Sequence, residues 1–269
     1  MGKVRLDLAM VKQGIVESRE KAKALIMAGK VKVGGKTIDK AGTNIDENTI
    51  IEFTGCPQPY VSRGGLKLEK ALSYFAIDLT GKVVADIGAS TGGFTDCALQ
   101  KGAQKVYAID VGYGQLDWKL RNDSRVVNME RTNARYVKAT DLEEQVDFVS
   151  IDVAFISLEK ILPAVKEILK EEGEIIALIK PQFEAGKDKI GKKGVVKDKK
   201  THIEVVTNIL TISYALDYYV QGLTYSPVKG PEGNIEYLIW LGKRLSPRIT
   251  DLEVITMVED AHRELNDKG

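Results

Sequence analysis

The sequence predicts an α/β protein: a mostly parallel sheet of seven strands with helices on both faces, preceded by a small α+β unit. Three observations carry this expectation. From residue 82 onward, short apolar runs alternate with helical stretches, the pattern of a parallel sheet covered on both faces. The first of these runs closes on a glycine-rich turn, Asp86-Ile-Gly88-Ala-Ser-Thr-Gly92-Gly93-Phe94. The opening stretch has a different texture, and Thr54-Gly-Cys-Pro-Gln-Pro59, with two prolines in six residues, sets it off. We expect the small unit at residues 1–55, a linker at 56–63 and the larger domain at 64–269.

In the small unit, Leu6, Ala9 and Met10 share one helical face, and Ala22, Leu25 and Ile26 share another. Ser18 is a natural N-cap for the second helix, and Gly29 can end it. Val31-Lys-Val-Gly-Gly-Lys-Thr-Ile38 reads as a hairpin turning on its two glycines, and Ile45–Phe53 as a last strand. The larger domain opens with a helix from about Leu66 to Phe75. Strands follow at 82–87, 105–110, 125–128, 146–152 and 174–180, with helices over Thr91–Gln100 and Leu158–Lys170. A glycine- and lysine-rich loop spans Pro181–Lys197; strands at Tyr218–Tyr225 and Ile235–Leu241 and a helix at Asp251–Leu265 complete the domain.

A hydrophobic content of 43% supports a packed core and excludes a wholly disordered chain. The longest run free of Asp, Glu, Lys and Arg, Val205–Leu216, falls far short of the roughly 18 residues of a membrane span. Met1-Gly-Lys-Val-Arg-Leu-Asp7 has no apolar core, so it does not read as a secretory signal. Cys56 and Cys97 make no metal or disulfide pattern, and two histidines give little support to zinc chemistry or a Ser-His-Asp triad. Cys97, His202 and His262 therefore read as structural, with Cys97 buried and His202 near the start of a surface helix. We expect a cytoplasmic protein without a metal. Net charge is only +1, yet residues 1–40 carry +6 and residues 180–200 carry +5. These basic islands are either places to meet a polyanion or solvated faces.

Glycines at a strand's carboxyl end let the backbone turn tightly and lie close to a ligand. The turn after Asp86 is neither the G-x-G-x-x-G dinucleotide pattern nor a P-loop, because Phe94 follows Gly93 where a P-loop needs lysine. A cradle without a phosphate-binding lysine suits a nucleoside ligand carrying no phosphates, of which S-adenosylmethionine is the commonest. Asp110, 24 residues after Asp86, can accept both ribose hydroxyls. Asn133, after the third strand, can meet an adenine edge or cap a loop.

Four polar residues stand out: Lys67 near a helix start, and Asp152, Lys180 and Glu236 at strand ends. Strand ends on one edge of a parallel sheet converge on the ligand crevice, and buried charges there must pair. Such a group suits methylation of a hydroxyl, which loses its proton as it attacks an electrophilic methyl. A lysine acts as base only when neutral; at a reference pKa of about 10.4 this is a handicap of roughly 4 kcal/mol near neutral pH. Lys180 is assigned as general base, Asp152 and Glu236 as orienting acids, and Lys67 as opposing positive charge. Surface salt bridges are the alternative reading. Lys187, Lys189, Lys192 and Lys193, interleaved with Gly186, Gly191 and Gly194, form either a mobile lid on phosphates or a disordered loop.

These residues resemble a known family. Val61-Ser-Arg-Gly-Gly-Leu-Lys67-Leu-Glu-Lys-Ala-Leu, the Asp86 turn, Asp152-Val-Ala-Phe-Ile-Ser, Ile179-Lys-Pro-Gln-Phe-Glu and Gly230-Pro-Glu-Gly-Asn-Ile-Glu-Tyr are similar to segments of the TlyA (hemolysin A) family. Its members are ribosomal-RNA 2′-O-methyltransferases with an FtsJ-like domain. Residues 1–55 resemble the small RNA-binding domain of ribosomal protein S-four, through Arg5-Leu-Asp, Ser18-Arg19-Glu-Lys-Ala-Lys, Gly29-Lys-Val and Val33-Gly-Gly-Lys. The resemblance implies a Rossmann-like, S-adenosylmethionine-dependent methyltransferase that methylates a cytidine ribose in 23S and, for some members, 16S rRNA, free or in a subunit. It places the family's catalytic tetrad on Lys67, Asp152, Lys180 and Glu236. It places the cofactor segment on Asp86, Gly88, Ala89, Ser90, Gly92, Gly93 and Phe94 and the ribose-binding acid on Asp110; from the strand ends we add Asn133 and Asp152 to the expected cofactor site. RNA-binding positions fall on Arg5, Ser18, Arg19, Lys23, Lys30, Lys32, Lys36 and Arg63. Competing functions are a membrane-lysing protein, as the older family name suggests, a non-catalytic RNA-binding assembly factor, and methylation of a small molecule.

Overall fold

A computed structural model describes residues 2–16, 18–53, 59–191 and 194–266, with the side chain of Lys187 left aside. The chain divides into two compact units, 1–59 and 60–269. Cys56, Lys192 and Lys193 lie outside the described residues. Tyr60–Arg63, expected in the linker, belong to the larger unit: Tyr60 is buried, and Val61 N donates to Asp96 Oδ2 at 2.9 Å.

In the small unit, β1 (Lys3–Arg5), α1 (Leu6–Lys12), α2 (Arg19–Met27), β2 (Val31–Val33), β3 (Lys36–Ile38), β4 (Asn44–Asp46) and β5 (Ile51–Phe53) follow in order. Strands β1 and β4 pair antiparallel, and β3-β2-β5 form a second small sheet. The buried side chains are those the helical periodicity selects, Leu6, Ala9, Met10, Ala22 and Ile26, joined by Val31, Ile45 and Ile51. Ser18 caps α2 by accepting from Lys21 N at 3.2 Å. Gly34 and Gly35 both take positive φ (57° and 76°), as a two-residue hairpin turn requires. The single strand expected over Ile45–Phe53 is two strands in different sheets, because a turn closed by Thr49 N to Asp46 O (2.9 Å) interrupts it. Strand β1 was not expected; only its partner β4, remote in sequence, defines it.

The larger unit contains α3 (Gly64–Tyr74), β6 (Val83–Ile87), α4 (Gly93–Gln100), β7 (Lys105–Ile109), α5 (Trp118–Arg121), β8 (Val126–Met129), β9 (Val146–Ile151), α6 (Leu162–Ile168), β10 (Leu169–Ile179), α7 (Pro181–Glu184), α8 (Lys199–Ala215), β11 (Tyr219–Tyr225), β12 (Tyr237–Gly242) and α9 (Asp251–Asn266). The sheet order is β11-β12-β10-β9-β6-β7-β8; β12 runs antiparallel to both neighbours, and the other strands are parallel. This is the expected seven-stranded, mostly parallel Rossmann-like architecture. Alternation along β6 shows how both faces are filled: Val83, Ala85 and Ile87 join the core with α6, α8 and α9, whereas Val84 joins the core with α3, α4 and α5. After β8 the chain crosses the sheet to β9, so the switch point lies between β6 and β9.

Two boundaries differ from expectation. The helix expected over Leu158–Lys170 is a short 3₁₀ turn at Leu158–Lys160 followed by α6, which ends at Ile168. Leu169 opens an eleven-residue strand instead, with a register irregularity before Glu174. His202 stands near the start of α8, but the helix is not a surface one there: His202 is fully buried under α9 and β12.

Candidate active site

Each strand end at the switch point presents the residue the sequence singles out. Gly88 follows β6, Asp152 follows β9, Lys180 follows β10 and Glu236 precedes β12, while Lys67 comes from the first turn of α3. The four charged side chains form a chain of alternating sign. Lys180 Nζ lies 2.5 Å from Asp152 Oδ1, Lys67 Nζ lies 3.5 Å from Asp152 Oδ2, and Lys67 Nζ lies 2.7 Å from Glu236 Oε2. Glu236 is 1% exposed and Lys67 7%, so this is a buried network rather than a set of surface bridges. Burial works to lower the Lys67 pKa, but the facing carboxylates of Asp152 and Glu236 outweigh it, and the net direction is upward. Lys67 is therefore held as an ammonium between two acids, whereas Lys180 pairs with Asp152 alone among the described residues.

Two cavities open beside this network and share Gly88, Ser90, Asp152 and Ala154 in their walls. The first, about 340 Å³, holds all four charged residues together with Ser62, Arg63, Gly64, Ala89, Gly93, Phe94 and Lys229–Pro231. The second, about 580 Å³, is lined by Asp110, Gln115, Thr132, Asn133, Phe155 and Ile156, among others. Both volumes fall in the range of small-molecule sites.

The backbone around the cavities takes left-handed conformations that L residues rarely adopt. Gly88 has φ +85°, and a Cβ there would lie 2.5 Å from the Asp152 carbonyl oxygen. Ser90, Arg131 and Phe155, in the loops after β6, β8 and β9, take φ of 49°, 57° and 62°. Strain of this kind, on three neighbouring loops, marks a site whose shape is imposed by its surroundings. Asp110, just after β7, ties the loop after β6 to its own: its Oδ2 accepts from Ser90 N and its Oδ1 from Gly112 N, both at 2.7 Å. An ionised carboxylate has about four acceptor positions, so capacity for ribose hydroxyls remains. Asn133 caps the turn Ala134–Tyr136 by accepting from Arg135 N (3.2 Å), and it lines the second cavity.

Some expected cofactor residues are placed elsewhere. Asp86 is fully buried and lines neither cavity; Thr95 Oγ1 donates to it at 2.6 Å and Ser150 Oγ at 3.2 Å. Ser150 is its register partner on β9, so the carboxyl lies under the glycine turn and fastens it to α4. Burial pushes its pKa up to about 7. Gly92 is likewise a packing residue: a Cβ there would come 2.2 Å from Leu120 Cδ1. The lysine-rich segment forms no wall of either cavity among its described residues; Lys189 pairs with Glu204, and Asn234 holds Gly194 O and Val196 N (2.9 and 3.0 Å). Cys97 is buried, with a thiol that burial pushes up to about 12.

Of the RNA-binding positions, Arg63 is exposed and borders the first cavity. Arg5 and Arg19 both hold the buried Asp7, with contacts of 3.0 and 3.1 Å. Ser18 is occupied as a cap. Lys23, Lys30 and Lys36 are exposed and Lys32 is half-buried. Two further residues stand at the site without a signal in the sequence: Phe155, 91% exposed, whose ring lies 4.9 Å from that of Phe183 and carries no charge, and Gln182, which touches Glu236.

A glycine cradle at the switch point, an acid after the second strand and a buried amine–carboxylate network place a ligand site at the carboxyl edge of the α/β sheet. The FtsJ-like methyltransferase model matches residues 60–243, and the S4 domain model matches residues 4–51. The chain belongs to the FtsJ-like methyltransferase family and carries an S4 domain ahead of the catalytic one. It is 48% identical over 271 residues to YqxC of Bacillus subtilis, named as a candidate rRNA methyltransferase, covering 99% of this chain and 96% of that one. It is 43% identical over 240 residues to the 16S/23S rRNA (cytidine-2′-O)-methyltransferase TlyA of Mycobacterium tuberculosis, covering 89% of this chain and 90% of that one. A solved structure of a hemolysin candidate from Streptococcus thermophilus matches with a TM-score of 0.79 at 46% identity, covering 100% of this chain and 98% of that one.

Proposed function

We propose that this chain is a cytoplasmic enzyme that methylates the ribose 2′-hydroxyl of a cytidine in 23S ribosomal RNA, with 16S RNA as a second substrate to be tested. The observation that carries the reading is the chain Lys180–Asp152–Lys67–Glu236 facing the first cavity. The relative named for cytidine-2′-O methylation supports the choice of acceptor. The second cavity fits S-adenosylmethionine: Gly88 leaves no room for a side chain beside Asp152, Asp110 and Asn133 offer an acid and an amide for ribose and adenine, and no lysine stands in its wall. When bound, S-adenosylmethionine supplies an electrophilic methyl group.

The residues of the chain then divide the work. Lys180, neutral, takes the proton of the attacking hydroxyl at its Nζ. Asp152 aims that nitrogen and stabilises the ammonium that forms, from 2.5 Å away. Lys67, fixed as an ammonium by Glu236, offsets negative charge developing on the sugar oxygen. Arg63 and Lys229, at the rim of the first cavity, meet the phosphates beside the reacting ribose.

The test is Lys180→Ala in the full chain. Methyl transfer to ribosomal RNA is expected to fall by on the order of 10²–10⁴, with cofactor and RNA affinity changing by no more than about twofold. Turnover equal to that of the parent would refute the base assignment.

A further inference from the structure

The segment Lys180-Pro-Gln-Phe-Glu184 has a role beyond its lysine. Pro181 occupies the first position of α7, where a fixed φ starts the turn immediately after Lys180. The next three side chains reach three different parts of the site. Gln182 Nε2 donates to Glu236 Oε1 at 3.3 Å, Phe183 packs on Phe155, and Glu184 Oε1 accepts from Leu158 N at 2.9 Å.

We propose that Gln182 is a positioning residue that holds the Glu236 carboxylate in the orientation that pins Lys67. The inference rests on the catalytic reading above. Glu236 has almost no contact with solvent, and its two oxygens are divided: Oε2 takes Lys67, and Oε1 takes Gln182. Gly230 closes a third side, since a Cβ there would come 2.6 Å from Oε1. A buried carboxylate with one unbonded oxygen is costly, so without the amide it would turn to share both oxygens with Lys67. Lys67 would then be drawn from Asp152, and Asp152 would be left to Lys180 alone.

The choice of an amide also has an electrostatic reason. A cation at position 182 would compete with Lys67 for Glu236 and make the group net positive. Glutamine donates a hydrogen bond to Glu236 without adding charge to the group. The carboxylate can only accept, which fixes the end of the amide that faces it. At the other end, Gln182 Oε1 is buried and has no hydrogen-bond partner among the described residues, so Glu236 is what orients this side chain.

The experiment compares Gln182→Leu, Gln182→Glu and Lys180→Ala in the full chain. Gln182→Leu is expected to lower kcat by about tenfold to a hundredfold, the cost of a misplaced catalytic group, while KM for RNA and cofactor affinity stay within about twofold. Gln182→Glu keeps the shape and gives a pH signature. At low pH the two carboxyls share a proton, and the protonated partner donates to its neighbour as the amide does. As pH rises the proton leaves, the two charges repel, and activity falls where that of the parent rises. If Gln182→Leu loses its fold, Gln182→Glu answers the same question. A parent-like kcat in Gln182→Leu, or a parent-like pH profile in Gln182→Glu, overturns the proposal while an inactive Lys180→Ala leaves the catalytic reading standing. An active Lys180→Ala overturns both.

Discussion

Asp86, on β6, and Asp152, just past the end of the neighbouring β9, stand near the same glycine turn, yet their environments differ. Asp152 opens onto both cavities between two lysines, whereas Asp86 is sealed beneath with two hydroxyls. Its raised pKa has a definite sign. The unfolded carboxyl releases its proton near pH 4 and the folded one near 7, so stability is lost as pH rises through that window and is level above it. Asp86→Asn is expected to remove a pH-dependent loss of the order of a few kcal/mol, read from urea midpoints at pH 4 to 8. Gly88→Ala combines a positive φ with backbone contact at 2.5 Å. It is expected to cost roughly 1–2 kcal/mol or more in the same assay, and calorimetry should show weakened cofactor binding. In sequence, Asp86 and Gly92 look like cofactor contacts because they belong to the same motif as Gly88. Only side-chain direction separates what lines a cavity from what supports the lining.

Helices α8 and α9 meet strand β12 through two buried histidines. Val196 O can only accept, so His202 Nε2 carries the proton toward it (2.9 Å), and Nδ1 accepts from the Tyr237 hydroxyl at 2.6 Å. His262 Nε2 approaches the same Nδ1 at 3.3 Å. Burial pushes the His262 pKa down to about 4, and it lowers that of His202 too. The unfolded imidazoles protonate near pH 6.5, so stability is lost as pH falls from there toward 4 and then levels off. His262→Phe is expected to flatten that acid-side loss, measured as the difference in Tm between pH 7.5 and 4.5. The effect opposes that of Asp86 over the same range, so each variant is compared with the parent alone. These elements show the reach of sequence patterns. The sequence predicts α9 and a helix beginning near His202, but two isolated histidines cannot announce that their helices bring them together. The strand split at Asp46 and the early end of α6 escape for a related reason: pairing with remote strands decides where each stops.

At the scale of the whole chain, the proposed function gives RNA recognition to the small unit and chemistry to the larger one. Arg5 and Arg19 hold the Asp7 carboxyl at a pKa of about 2, mainly through the Arg5 hydrogen bonds, so replacing them tests folding as much as RNA contact. Lys23, Lys32 and Lys36 are the cleaner set. Replacing all three with Ala is expected to weaken RNA binding and to make the slope of log K against log salt shallower by roughly one for each lysine that meets a phosphate. Filter binding across a salt series checks this, and an unchanged slope would exclude these lysines as phosphate contacts.

Most elements of the larger unit, the class of its sheet and the four charged residues that meet beside the glycine turn were legible in the sequence. Periodicity, glycine turns and charged strand ends are local in the chain, and local patterns survive being read one residue at a time. The tertiary structure alone decided that Asp86 serves the scaffold, that Lys67 is bound by two acids and Lys180 by one, and that Gln182 touches Glu236. Burial and pairing are properties of neighbours in space, and residues 67 and 236 become neighbours only when the sheet closes.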